Sequence, residues 1–153
     1  MTYPLVIRYH EFHIMTSLRF IKRPGKVLLR EIVALYTRQG WWDKSDTNTL
    51  AARLIRNSHC FLVVLDKGRA VGMGRAISDG VSDAYIQDVT VLKEYRGRGL
   101  GAKIVLGIKN RLKADGIKWI GLIAQNDSRQ FYAPLGFKVI KRAHPMMLKG
   151  NNV

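Results

Sequence analysis

Hydrophobic and polar positions follow two periods along this chain, and the switches between them mark its elements. The runs "CFLVVLD", "AVGMGRAIS" and "AYIQDVTVL" are short, apolar and rich in β-branched residues, which predicts three strands. The turns at 66–68 and 78–80 are brief and carry glycine, so these strands form an antiparallel meander. Upstream, "EFHIMTSL" at 11–18 predicts another strand. "KVLLREIVALYTRQG" then changes to helical spacing. Val27, Ile32, Leu35 and Tyr36 share a face, and Gly40 stands where a helix ends. "DTNTLAARLIRNS" predicts a second helix, with Asp46 or Thr47 as its cap. A third runs from about Gly99 to Lys113, with Leu100, Ile104, Val105, Ile108 and Leu112 on its apolar side. Then follow a strand ("KWIGLIAQ"), a short helix ("SRQFYAPL"), a strand ("GFKVIKR") and a final strand from "PMMLKGNNV".

This order describes an α+β chain: a single mixed, mostly antiparallel sheet flanked by helices. The sequence shows no internal repeat and no linker, so one domain over 1–153 is expected. Composition adds little to that picture. Hydrophobic residues make up 47% and charged ones 24%, as in an ordinary soluble chain. The longest apolar runs, such as "FLVVL", are too short to cross a bilayer, so no membrane association is expected. The first residues read as no signal peptide. The single cysteine, Cys60, fits a reducing compartment, and a cytoplasmic protein is expected. His10, His13, His59 and His144 show no ligand spacing, so no metal site is expected.

Charge changes the picture more. Twenty-six Lys and Arg against eleven Asp and Glu give a formal +15. That balance attracts polyanions: nucleic acid, an acidic surface or a phosphorylated ligand. The basic residues are spread along the chain and form no arm, and no nucleic-acid recognition motif accompanies them. Solvated surface accounts for the excess equally well.

The segment "YRGRGLGAKI" is the most specific feature. Gly97, Gly99 and Gly101 lie where a strand hands over to a helix, and glycine weakens a first helical turn. The obvious candidate for compensation is an anion, against a tight turn without a ligand. Amides at a helix start have no internal partner, and glycines let a phosphate approach them closely. Arg96 and Arg98 can add charge-assisted contacts. A Rossmann reading fails, because the match follows an antiparallel meander and no acid follows the next strand. A Walker loop fails for want of Gly-Lys-Ser/Thr.

At these residues the chain resembles the GCN5-related N-acetyltransferase superfamily. "RGRGLG", with Arg96, Gly99 and Gly101, matches the family's loop signature after its fourth strand. "AQNDSRQFYAPLGF" resembles the segment after its fifth strand. The likeness is specific from Tyr85 to Phe137 and looser before Asn57; Lys93 departs from the proline of many members. It implies an acetyl-CoA-dependent N-acetyltransferase with direct attack of an amine on the thioester. The acceptor would be an amine, mildly favoured as a small molecule, and homodimers occur in the family. The alternative is a basic nucleic-acid binder or an acyl-CoA sensor on the same fold.

The resemblance also implies site residues. The backbone of Val89 and Val91, flanking Thr90, would pair with the pantetheine arm. The stretch Arg96, Gly97, Arg98, Gly99, Leu100, Gly101 and Ala102 would hold the pyrophosphate. Asn126 would bond the pantetheine, and Tyr132 would lie near the sulfur and donate a proton to the departing thiolate. Asp88, a carboxylate in mid-strand, can take a proton through water, bind an ammonium or pair with an arginine. Alternation places it opposite Val89 and Val91, with Gln87 and Tyr85 on the other face as substrate contacts. In the loop between the first helices, Trp41, Trp42 and Asp43 combine aromatic faces with a carboxylate, which suits a cationic amine.

Overall fold

The computed structural model of this chain describes residues 16–148, and their centre is a five-stranded sheet ordered as in the sequence. Strands β1 (Thr16–Phe20), β2 (Cys60–Asp66), β3 (Arg69–Ser78) and β4 (Asp83–Val91) pair antiparallel in succession. The short β5 (Trp119–Gly121) joins β4 in parallel. Four helices accompany them: α1 (Lys26–Arg38), α2 (Asn48–Asn57), α3 (Leu100–Ala114) and the one-turn α4 (Arg129–Tyr132). The mixed sheet with flanking helices is the expected architecture.

Helices cover both faces of the sheet, which is why β2 is buried along nearly its whole length. Helix α3 takes one face with Leu100, Ile104, Val105, Ile108 and Leu112, all buried as expected. Added β-carbons at Gly72 and Gly74 of β3 would both meet Ile104, so even-numbered positions there face α3. Helix α1 lies on the opposite face and buries Leu29, Ile32, Leu35 and Tyr36. Val27 does not join them and is 66% exposed. Five residues before Ile32, it stands about 140° away around the helix. Thr47 caps α2 through Leu50 N–H at 3.3 Å, while Asp46 Oδ2 accepts from Asp43 N–H at 2.8 Å.

The remaining strand forecasts hold only in part. The upstream strand begins no earlier than Thr16 among the described residues and runs on to Phe20; residues 11–15 lie outside them. The strand expected at 118–125 shrinks to three residues, because β4 offers β5 only three rungs, ending at Tyr85–Gly121. Residues 136–142 and 145–148 form no strand, and 149–153 lie outside the description. Apolar character alone does not make a strand; it needs a neighbouring edge, and β5 provides little of one.

One irregularity governs the rest. Thr90 pairs with Met73 and Gln87 with Arg75, so Asp88 and Val89 stand opposite Gly74 alone. This is a β-bulge. Asp88 takes φ +56°, a left-handed conformation uncommon for a non-glycine residue. Gly74 is what allows the sheet and α3 to close here: an added β-carbon would sit 2.7 Å from Ile104 Cγ2, 3.1 Å from Ile108 Cδ1 and 3.2 Å from Val89 Cγ2. Gly74→Ala is therefore expected to destabilise the fold by about 1–3 kcal/mol through overpacking. Denaturant unfolding checks this, and a midpoint equal to that of the unchanged protein would refute the packing account.

Candidate active site

Beyond Tyr85–Gly121 the strands β4 and β5 part, while β4 continues to Val91. Its outer edge is thereby left without a strand. Leu92 N–H donates to Val71 O at 2.8 Å on the β3 side, so the peptide groups of Val91 point to the open side. There Val91 O accepts from Arg96 Nε at 3.1 Å. By the two-residue period, Val89 shares that orientation.

The chain leaves β4 through a single 3-10 turn, Lys93–Tyr95, and enters the glycine loop. Tyr95 is anchored by its hydroxyl, which donates to Asp66 Oδ2 at 2.6 Å. The Arg98 guanidinium lies 5.1 Å over the Tyr95 ring and donates to Glu94 O at 2.9 Å. Arg96 thus ties the loop back to the end of β4 and Arg98 ties it to the preceding turn, and their charge stays beside it. Gly97 and Gly99 adopt φ of +73° and +72°, where glycine carries no steric penalty. Gly99 caps α3, its carbonyl taking Lys103 N–H at 3.0 Å. The amides of Leu100, Gly101 and Ala102 have no partner among the described residues. They open on a groove of about 550 Å³, lined by Val91, Arg96, Gly97, Gly99, Ala102 and Phe131 among others. A β-carbon on Gly101 would stand 3.2 Å from Phe131 Cζ, so bulk there would narrow the groove.

A second cluster forms on the α1 side of the bulge. Asp88 Oδ2 accepts from Tyr36 Oη at 2.8 Å and from Arg75 Nε at 2.5 Å. Arg75 also donates to Gln87 Oε1 at 3.0 Å. Gln87 and Asp88 therefore reach one guanidinium, which corrects the strict alternation expected for this strand: the bulge brings both to the same face. Asp88 Oδ1 has no partner among the described residues, and the side chain is 22% exposed. Burial raises the pKa of Tyr36, and the negative charge of Asp88 raises it further, so its hydroxyl remains a donor at any working pH. Sequence reasoning placed Tyr36 in the core and passed over Arg75. The available signals were a buried tyrosine, whose hydroxyl needs an acceptor, and a strand arginine across from a strand aspartate.

The tryptophan loop folds back onto the same residue. Trp42 stacks on Tyr36 with ring centroids 4.1 Å apart, and Trp41 meets it edge-on at 5.9 Å while remaining 45% exposed. Asp43 is engaged in the loop itself, accepting from Ser45 N–H at 2.7 Å and from Ser45 Oγ. Tyr85 instead pairs with Trp119, 5.1 Å away and tilted, where β4 and β5 separate. Tyr132 sits between Phe131 and Phe137, half-buried; burial raises its pKa, and its hydroxyl has no partner among the described residues. Asn126 is exposed in a turn at φ +50°. His59 binds Asp115 at 2.8 Å and His144 is exposed, while His10 and His13 lie outside the described residues.

A groove beside the open end of β4, bounded by unpartnered helix amides, is chemically suited to the phosphates of an acyl-CoA. The comparisons agree: the profile of the acetyltransferase (GNAT) family matches residues 27–137, and the chain belongs to that family. Histone acetyltransferase TAP1 of Glycine max is 34% identical over 137 residues, covering 82% of this chain and 57% of its own length. GCN5-related N-acetyltransferase 2, chloroplastic, of Arabidopsis thaliana is 39% identical over 82 residues, covering 54% of this chain and 30% of its own. The chain thus spans 57% and 30% of those curated relatives. A probable acetyltransferase of meticillin-resistant Staphylococcus aureus superposes with a TM-score of 0.74 at 26% identity, covering 89% of this chain and all of that one. Members of the family use acetyl-CoA as cosubstrate. No helix among the described residues is long and apolar enough to cross a membrane.

The groove fits such a ligand on this chain's own terms, with free amides at its end and a glycine where a side chain would intrude. Gly101→Asp is expected to lower affinity for CoA at least about 100-fold, through contact with Phe131 and repulsion of phosphate. Calorimetric titration of the folded variant decides it, and unchanged affinity would remove the loop from the site.

Proposed function

We propose that this chain transfers the acetyl group of acetyl-CoA directly to a small amine. The observation that carries the reading is the set of unpartnered amides at the start of α3, at the end of the gap between β4 and β5. Acetyl-CoA supplies an activated thioester. The loop 96–102 binds its pyrophosphate, and the open edge at Val89 and Val91 and the turn at Asn126 hold the pantetheine. The amine nitrogen forms a bond to the acetyl carbon, and the carbon–sulfur bond breaks. Asp88 Oδ1, the oxygen left free by Tyr36 and Arg75, takes the amine's proton, directly or through water. Tyr132 donates toward the sulfur as it leaves. Its burial keeps the phenol protonated until then.

The acceptor approaches along β4, past Gln87 and Tyr85. An open groove of about 320 Å³ there is lined by Ile77, Ser78, Asp79, Asp83 and Tyr85. Backbone N–H groups of Val81 and Ser82 hold Asp79 down to about 2, so it stays anionic. The exposed rings of Tyr85 and Trp119 give an apolar amine a place to lie. One relative is named a histone acetyltransferase. The formal +15 argues against a basic protein tail here, since such a tail would bring many repelled charges where a small amine brings one or two. The single buried Cys60 suits a reducing compartment; the cytoplasm meets that condition, as does the chloroplast in one relative's name.

Calorimetry with acetyl-CoA, competed by 3′,5′-ADP, tests the cosubstrate. Thiol release with tryptamine, spermidine and a lysine peptide tests the acceptor. One-site binding and turnover of a small amine above the peptide are expected; faster turnover of the peptide would overturn the small-amine reading. Tyr132→Phe is expected to lower kcat on the order of 100-fold while leaving acetyl-CoA affinity within about twofold. A kcat equal to that of the unchanged enzyme would assign the proton to another donor.

A further inference from the structure

Tyr36 touches both the tryptophan loop and the carboxylate at the bulge. Its carbonyl accepts Trp41 N–H at 3.1 Å, its ring carries Trp42 at 4.1 Å, and its hydroxyl donates to Asp88 at 2.8 Å. The side chain is fully buried, so these contacts are made in one fixed rotamer and not in competition with water. Asp88 in turn sits at a left-handed position, which the surrounding contacts must hold. Two donors converge on its Oδ2, one from α1 and one from β3, and they leave Oδ1 facing outward.

Resting on the acyl-transfer reading above, we propose that Tyr36 is a positioning residue that couples the seating of the tryptophan loop to the orientation of Asp88. A base that takes a proton from a bound amine needs a third group to orient it, and Tyr36 fills that place from the helix side. Arg75 holds the same oxygen from the sheet side and is tied by Gln87. The difference between the two is the loop. Arg75 is tied to Gln87 across the sheet, whereas Tyr36 also carries the stacked Trp42 ring, so the seating of the loop bears directly on the hydroxyl that holds Asp88. An amine that orders the loop against Tyr36 thereby sets the carboxylate that will receive its proton. The acceptor site and the proton acceptor are then one mechanical unit.

The test uses the full chain and the amine that turns over fastest among tryptamine, spermidine and the lysine peptide. Tyr36→Phe removes only the hydroxyl and keeps the stack on Trp42. Its kcat, per bound acetyl-CoA counted by calorimetry, is expected to fall about 10- to 100-fold with KM for acetyl-CoA unchanged. Trp42→Ala is expected to raise KM for the amine and also to lower kcat, and the double variant to lower kcat no further than the worse single change. A merely structural role would reduce the bound fraction and leave kcat per bound site alone. An unchanged kcat in Tyr36→Phe, or kcat losses that multiply in the double variant, would overturn the coupling. If the unchanged protein binds acetyl-CoA but acetylates none of the three amines, the acceptor reading fails, and this inference with it.

Discussion

The two-for-one step in β4 opposite Gly74 is the constraint on which the rest of the structure depends. A regular strand would keep Asp88 and Gln87 on opposite faces. The extra residue swings Asp88 toward α1 while Val89 and Val91 stay against α3. Pairing to β5 has already ended at Tyr85, so the bulge lies in the part of β4 whose outer edge is open. The open peptide edge and the held carboxylate therefore share one short stretch of strand. Gly74 is the complementary condition, since any β-carbon there would push Val89 and α3 apart.

The glycine loop shows how a locally unfavourable sequence becomes stable. Gly101, in the first turn of α3, forfeits helix propensity of roughly 1 kcal/mol, and Gly97 and Gly99 give up more backbone entropy on folding than other residues would. The structure offsets part of that without any ligand. Tyr95 is tied to Asp66, Arg98 lies on Tyr95 and binds the Glu94 carbonyl, and Arg96 closes on the Val91 carbonyl at the end of β4. What these bonds leave unmet is the row of amides from Leu100 to Ala102. Any helix start leaves such amides open, and here the glycines before and among them keep them accessible to an anion.

How much of this could be read beforehand depended on the range of the interaction. The buried face of α3, the meander and the glycine loop were legible because each is specified within a few neighbouring residues. The register of β4 was not, because a period of two carries no sign of where one residue will be added. Val27 was misplaced by counting apolar residues without their angle, and the strands at 118–125 and 136–142 by counting them without a neighbouring edge. Tyr36 was correctly placed in the core and yet missed as part of the site. Nothing near it in the chain marks the hydroxyl's acceptor, which lies fifty-two residues away.

The charge of the chain finds its place once the two ligands are considered separately. In the proposed reaction the CoA brings several phosphate charges, which a protein at +15 attracts over distances of about a Debye length. The same field opposes a cationic acceptor, in proportion to the acceptor's own charge. Local carboxylates must offset that at the approach, and Asp79 and Asp83 line the groove beside Tyr85. At the bulge the balance is closer still: Arg75 neutralises Asp88, so the site holds no surplus negative charge with which to grip an ammonium tightly. Such a site releases rather than retains a charged amine and favours one that has lost its proton. That is the form in which nitrogen attacks a thioester.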